Sequence, residues 1–460
     1  MQHKEQSART TSPQGNLKDL AEKPVRSLLW QYSLPAVVGM LVMSLYNVID
    51  RIFIGQGVGP DAITGLTLTF PVMNITTALG VLIGAGASSR ISIMLGAKDI
   101  NGAHMVLGNA LTLLLSFIAC YMPLFSVFLD EILVAFGADD ASLPYAYTYM
   151  IWVLPGIVLT NITFTFNNMM RASGYPRKAM ITMIIGAFLN IILDPIFIFG
   201  LDMGIKGAAI ATDISMLVSG IFVMAHFFQK RSNVKFRRGI YRLRKSIVIS
   251  IISIGAAPSL VNAASCAINV IINISLGHYG GNLAIAAAGI FTTYTSLICM
   301  TIIGICQGMQ PIVGYNYGAG LYHRLRKAFW TTAMVATVLT VFGSAAGLSV
   351  AHIIARAFTT DDMLIYVTAK ALPLAMLAFS VVGFQIVATN FFMAIGNAGT
   401  SIFLSLTRQV LFLIPLLIIL PKFYDLNGIW LSFPASDIIA TAVTAIFIFR
   451  QMSKFRSEPD

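Results

Sequence analysis

Four aspartates stand inside long apolar stretches of this sequence: Asp50, Asp194, Asp213 and Asp437. An ionisable side chain in a bilayer interior is expensive, so each requires a partner or a function. Asp50 ends the stretch YNVID, which places Tyr46 and Asn47 at i−4 and i−3 on its own helical face. Asp194 ends NIILD, with Asn190 one turn earlier on the same face and Pro195 next, whose missing N–H releases a backbone carbonyl. Thr212 lies in GAAIATDIS, where Gly207, Ala208 and Ala209 let the helix pack closely enough to turn that hydroxyl toward the span carrying Asp194. Asp50, Asn190, Asp194 and Thr212 form an all-oxygen set, which Na+ accepts and for which a proton competes. Two desolvated carboxylates repel each other, so a proton on one of them is favoured and can be carried. Asn and Thr also join membrane helices as plain hydrogen-bonding groups, so the two carboxylates carry this reading. Arg51 follows Asp50, but a residue at i+1 points about 100° away and reaches the outer interface. Asp213 and Asp437 sit in no comparable cluster and are expected to face an aqueous cavity or to be uncharged.

Soft Met and aromatic walls suit varied apolar cations. Met43, two turns from Asp50 on the same face, and Asn167 and Asn168, at the end of the fourth span, are the substrate-binding candidates, with helix packing as the competing role. There is no catalytic triad, phosphate-cradling loop or metal-binding histidine cluster; His104, His226, His278, His323 and His352 fall at span ends, where interfacial placement is ordinary. Cys120, Cys266, Cys299 and Cys306 lie in apolar runs without metal-ligand spacing and are expected to be small buried hydrophobes. Neither an enzyme nor a cofactor is indicated.

These residues need a membrane to hold them. Of 460 residues 57% are hydrophobic and only 11% charged, and the mean hydropathy is +0.80. A soluble chain carries about 25% charged residues, so soluble enzymes, nucleic-acid binders and disulfide-stapled secreted domains are excluded. Apolar segments at about 28–54, 62–87, 103–129, 144–170, 178–200 and 204–228 give six spans, and those at about 247–277, 283–311, 328–350, 363–393, 400–420 and 427–449 give six more. Residues 1–27 lack the apolar core of a signal peptide and read as a cytoplasmic tail, as does 450–460. The basic linker 230–246 and the other inner segments hold most of the Lys and Arg, whereas the outer loops carry Asp130, Glu131, Asp139, Asp140, Asp361 and Asp362. The positive-inside rule then puts both termini in the cytoplasm. The net charge of +11 is thereby assigned to topology and anionic-lipid contact rather than to nucleic acid.

The two halves repeat. At an offset of 222 residues Asn47 meets Asn269, Gly86 meets Gly308, Gly96-Ala97 meets Gly318-Ala319, Asn168 meets Asn390 and Gly174 meets Gly396. The expected fold is an all-α polytopic membrane protein with twelve transmembrane helices in two six-helix bundles, 28–229 and 247–449. Six is even, so the bundles share an orientation and are related by a pseudo-two-fold axis along the membrane normal, the architecture of alternating-access transport.

The stretches LPAVVGMLVMSLYNVIDRIFIG, GAGASSRISIMLGAKD, RASGYPRKAM, LNIILDPIFIFGLDMGIKGAAIAT and GIWLSFPASDIIA resemble the multidrug and toxic compound extrusion (MATE) family over nearly the whole chain. Within it the sequence looks most like the bacterial branch whose coupling site lies in the N-terminal bundle. That resemblance implies export of lipophilic, often cationic small molecules in exchange for inward H+ or Na+, with Asp50, Asn190, Asp194 and Thr212 as the ion site. It implies a monomer in the bacterial cytoplasmic membrane, with no cofactor and no nucleic-acid partner. The family's other site, built on acids in the seventh and tenth spans, has no counterpart in this sequence. A lipid-linked sugar flippase would need several cationic residues in its cavity, and only Lys370 and Arg408 lie within spans. A nontransporting scaffold or receptor leaves the buried acids without a task.

Overall fold

A computed structural model describes residues 13–57, 60–135, 138 and 142–457. The first twelve residues of the expected tail, Asp139, Asp140 and the last three residues lie outside the described set, as do the side chains of Asn47, Arg51 and Cys266. Among the described residues the protein is helical, without a strand. The helices are α1 (Pro13–Glu22), α2 (Val25–Gly57), α3 (Pro60–Gly96), α4 (Ile100–Val127), α5 (Leu129–Ala135), α6 (Leu143–Ala172), α7 (Pro176–Pro195), α8 (Gly204–Phe228) and α9 (Lys245–Gly318). They continue as α10 (Tyr322–Ser349), α11 (Ala351–Phe358), α12 (Asp362–Met376), α13 (Val382–Ala394), α14 (Ala398–Leu406), α15 (Ile414–Ile419) and α16 (Pro421–Ser457).

Ten described helices are long and apolar enough to cross a bilayer. Two breaks account for the rest of the twelve expected spans. Gly281, at φ 64° and ψ −164°, divides α9 into two helices, in a backbone region essentially closed to residues with a Cβ. The segments Asp362–Met376 and Phe379–Ala394 together make one span bent by 52°. The carbonyls at that bend are not left to the lipid: Ser344 Oγ donates to Met376 O and Thr340 Oγ1 to Ser380 O, each at 2.7 Å. Two repeat-matched glycines, Gly174 and Gly396, end α6 and α13 with φ of 98° and 77°.

Two compact units emerge, and their membership differs from a cut at the linker. One unit runs from Val38 to Ser259 and takes in the chain up to Lys23; the other runs from Leu260 onward and takes in Pro24–Val37. Relative to the expected bundles, the first turns of α2 and of α9 have changed places. Close approach of backbones holds each of them. A Cβ on Gly308 would stand 2.5 Å from Ser33 Cα, one on Gly304 2.8 Å from Val37 Cα, and Ser33 Oγ donates to Ile305 O at 3.2 Å. In the other unit Gly86 abuts the carbonyl of Ile251, and Gly255 that of Leu82. Lipid tails are as apolar as Leu, so helices associate in a bilayer largely through such small-residue packing.

Inside the first unit Thr165 Oγ1 of α6 donates to Gly80 O of α3 at 3.1 Å. Gly207 of α8 lies against Phe197, where a Cβ would be 2.7 Å from the carbonyl oxygen. Ile54, Val72, Tyr149, Val153, Leu154, Ile198 and Ile205 form a core beside these contacts. The linker is folded onto this unit rather than being a free tether. Asn109 Nδ2 donates to Ile240 O and Arg242 O, Asn109 Oδ1 accepts from Arg244 N, and Phe236 packs on Phe166, Phe227 and Phe228. Two histidines expected at interfaces are buried pins for it: His104 Nδ1 accepts from Lys235 N, and His226 contacts Ser232 and Lys178. The second unit is centred on Phe291, Met376, Phe379, Leu417 and Trp430. Cys306 is buried as expected, but Cys299 is only half-buried and Cys120 is exposed; a thiol facing acyl chains loses little, being nearly as apolar as its surroundings.

Candidate ion-coupling site

The site lies in the first unit, where α7 ends at Pro195 and a π-helical segment, Ile196–Gly200, begins. Asn190 and Asp194 share a face of α7 because they are one turn apart, and Asn190 Nδ2 donates to Asp194 Oδ1 at 3.2 Å. The small residues at the start of α8 bring Thr212 alongside, and Asn190 Nδ2 also donates to Thr212 Oγ1 at 3.2 Å. Asp50 of α2 adjoins Asp194, carboxyl against carboxyl. The four expected coupling residues are therefore one cluster drawn from three helices. Asn190 and Asp194 have no exposed surface.

Among the described residues no hydrogen-bond partner reaches Asn190 Oδ1 or Asp194 Oδ2, both buried, apart from the Asp50 carboxyl that adjoins Asp194. Leaving such atoms unpaired costs about 1–3 kcal/mol each. A proton on a carboxyl, or a small cation among the oxygens, removes that cost, and adjacent carboxyls are more stable with one positive charge between them. With only oxygen ligands the set suits a hard cation. Tyr46 and Tyr149 stand within electrostatic reach of both Asp50 and Asp194. Tyr149, buried on α6, also senses Asp213. Sequence reasoning missed Tyr149, whose position follows from helix packing rather than from any local motif.

Asp213 is not isolated in the way expected. Its carboxyl lies against Gly156 of α6, beside the cluster and within reach of Tyr149. Asp437 departs further from expectation, because it is ion-paired: Arg408 Nε lies 2.7 Å from Asp437 Oδ1. Unlike charges on successive spans were the available signal.

The substrate-binding candidates stand apart from this cluster. Met43 is half-buried about two turns before Asp50. Asn167 and Asn168 are committed to local bonds at the end of α6. Arg171 Nη2 donates to both side-chain oxygens at 3.1 Å, Asn167 Nδ2 donates to Ala179 O, and Asn168 Nδ2 to Phe164 O. Arg171 is itself buried at the end of the helix. Its spacing of four and three residues from the two asparagines made that contact readable in advance.

The MatE family model matches the chain twice, at residues 35–196 and 258–419, which agrees with the internal repeat. The chain is 29% identical to the multidrug export protein MepA of Staphylococcus aureus (strain NCTC 8325 / PS 47), over 92% of this chain and 94% of that protein. It is 27% identical to MepA of Staphylococcus haemolyticus (strain JCSC1435), over 93% and 94%. Among solved structures, the outward-facing conformation of a multidrug resistance MATE family transporter matches with a TM-score of 0.89 at 25% identity, covering 96% of this chain and 98% of that one.

Proposed function

This chain belongs to the MatE family, and from that premise we propose that it is a secondary active multidrug efflux antiporter. It exports lipophilic, often cationic compounds in exchange for inward H+ or Na+, from a bacterial cytoplasmic membrane with both termini inside. The observation that carries this reading is the oxygen cluster of Asp50, Asn190, Asp194 and Thr212, in which Asn190 and Asp194 are fully buried and two carboxyls adjoin. The names of the MepA relatives support export of varied compounds.

The mechanism follows from the cost of buried charge. Open to the outside, the cluster takes up a cation, which neutralises one carboxylate and lowers the cost of enclosing the site. That shifts the equilibrium toward the state that releases drug. Return to the inward-open state discharges the ion into the cytoplasm, and drug is bound there again. Ion and drug compete through one conformational equilibrium, so each lowers the other's affinity by the same factor, even without contact. Met43, half-buried on α2, is assigned to the drug path, and Asn167 and Asn168 remain substrate-binding candidates only if drug displaces their bonds to Arg171.

The test is transport in proteoliposomes with pH and sodium gradients imposed separately, using a lipophilic cation as substrate. Accumulation against its gradient under either ion alone supports antiport and names the ion. Absence of driven transport under both refutes it.

A further inference from the structure

One tetrapeptide recurs in the second unit with different chemistry around it. Ala211-Thr212-Asp213-Ile214 of α8 returns as Ala435-Ser436-Asp437-Ile438 of α16. In the first unit Thr212 meets the side chain of Asn190 on the preceding span. In the second, Ser436 Oγ donates to Arg408 O on the preceding span at 2.6 Å. Each hydroxyl thus meets the preceding span, but the second reaches a main-chain carbonyl, and the charged partner of the aspartate beside it is a guanidinium. Arg408 sits in a π-helical segment, Thr407–Leu413, a widened turn of the kind frequent at functional sites.

The pair with Asp437 is incomplete as a structural clamp. Arg408 uses Nε alone, and among the described residues its Nη1 and Nη2 make no hydrogen bond. The Arg408 side chain is 25% exposed and that of Asp437 6%, so the aspartate is the enclosed partner, and the guanidinium edge that it does not engage is the part left for another ligand. Facing acyl chains, that edge would be very costly; it is stable only toward water or a solute. Among the described residues, no partner reaches the buried Thr441 Oγ1, one turn beyond Asp437, or Gln409 Oε1, next to Arg408.

We propose that Arg408 is a receptor for the anionic group of a carboxylate-bearing, zwitterionic export substrate, with Asp437 fixing the guanidinium. The planar Nη1–Nη2 edge matches a carboxylate in bidentate fashion. Arg408, Asp437 and a docked carboxylate together carry one net negative charge, so the cationic end of the same substrate completes the balance. A plain anion leaves that charge unmatched and is the poorer ligand. The proposal rests on the export reading, and the test separates the two.

Equilibrium dialysis against purified full-length protein uses two dyes that differ at one group: rhodamine 123, a cationic methyl ester, and rhodamine 110, its free carboxylic acid. The double variant Arg408→Gln, Asp437→Asn keeps a neutral, hydrogen-bonding pair. It is expected to weaken binding of the free acid at least about tenfold and of the ester less than about twofold. Equal loss for both dyes, no loss for either, or no binding of the free acid by the unaltered protein overturns the proposal. Should the double variant not fold, Arg408→Lys keeps the charge against Asp437 but removes the fork, with the same expectation and the same refutation. Failure of unaltered protein in vesicles to export the ester under an imposed gradient would overturn the export reading instead, while dialysis still decides the site.

Discussion

Replacing Asp194 by Asn removes the exchangeable charge with little disturbance of shape. The variant's amide oxygen can still accept from Asn190 Nδ2, as Oδ1 does at 3.2 Å. Its NH2 takes the place of Oδ2 and finds the Asp50 carboxyl adjoining as an acceptor. One possible bond gained against one altered leaves a stability change within about 1 kcal/mol. The functional effect is much larger. A pH difference of one unit supplies about 1.36 kcal/mol per proton. Exchanged electroneutrally for a monovalent cationic drug, that sustains about a tenfold accumulation ratio. Without the exchangeable proton the ratio falls to about one, although drug can still run down its own gradient. The assay is uptake of a fluorescent lipophilic cation into inside-out proteoliposomes, with the pH step imposed, the membrane potential clamped and equal folded protein confirmed. If sodium is the coupling ion, a tenfold sodium step replaces the pH step with the same arithmetic. Full tenfold accumulation by Asp194→Asn, or by the Asp50→Asn, Asp194→Asn double variant, refutes the coupling assignment.

Asp437→Asn should behave differently: it strands Arg408, whose side chain is 25% exposed, so stability falls by less than the about 3–5 kcal/mol of a fully desolvated pair, while driven export of a lipophilic cation without a carboxylate survives per folded molecule. Loss of coupling at normal yield would contradict this. Gly86→Ala places a Cβ against the Ile251 carbonyl, whereas nothing lies within 4 Å of a Cβ at Gly289. Thermal melting should show a loss of about 1–3 kcal/mol for the first and no loss, or a gain of up to about 1 kcal/mol, for Gly289→Ala; equal effects would refute the packing argument. A cysteine placed at the exposed Arg238 should react with an impermeant maleimide only from the cytoplasmic side, and labelling of intact cells from outside would invert the topology. Vesicle transport should favour lipophilic cations over net-anionic sulfonated dyes, and equal handling of both would count against an acidic site set in apolar walls.

What could be read in the sequence was whatever one helix fixes by itself. Asn190 and Asp194, one turn apart, were visible as a pair, and hydropathy alone marked the twelve spans, because bilayer thickness sets their length. Joining Asp50 and Thr212 to that pair took more: small residues on α8 hinted at the approach of Thr212, but only folding brings α2 to α7. Tyr149 depends entirely on contacts between helices, and Arg408 and Asp437 were visible only as unlike charges on successive spans. The latter are 29 positions apart, a spacing that belongs to no periodicity. Asn167 and Asn168 were readable as polar residues at a span end, and their commitment to Arg171 was readable too, since i+3 and i+4 neighbours meet on any helix.

The exchange of helix ends between the two units bears on how the protein can be made. Residues 24–37 leave the ribosome early, yet the glycines that receive Ser33 and Val37 are Gly308 and Gly304. Those glycines follow roughly 270 residues later, a delay of about 14–55 s at ordinary rates of synthesis. The second half of the first span meets its partners earlier, when Met183 and Asp194 arrive beside Gly39 and Asp50, while the first half still waits. The first unit is likewise incomplete until residues 245–259 arrive. Neither half can be finished from its own continuous stretch of chain. A gene split at the linker is therefore expected to yield two fragments that each lack part of the packing within a unit.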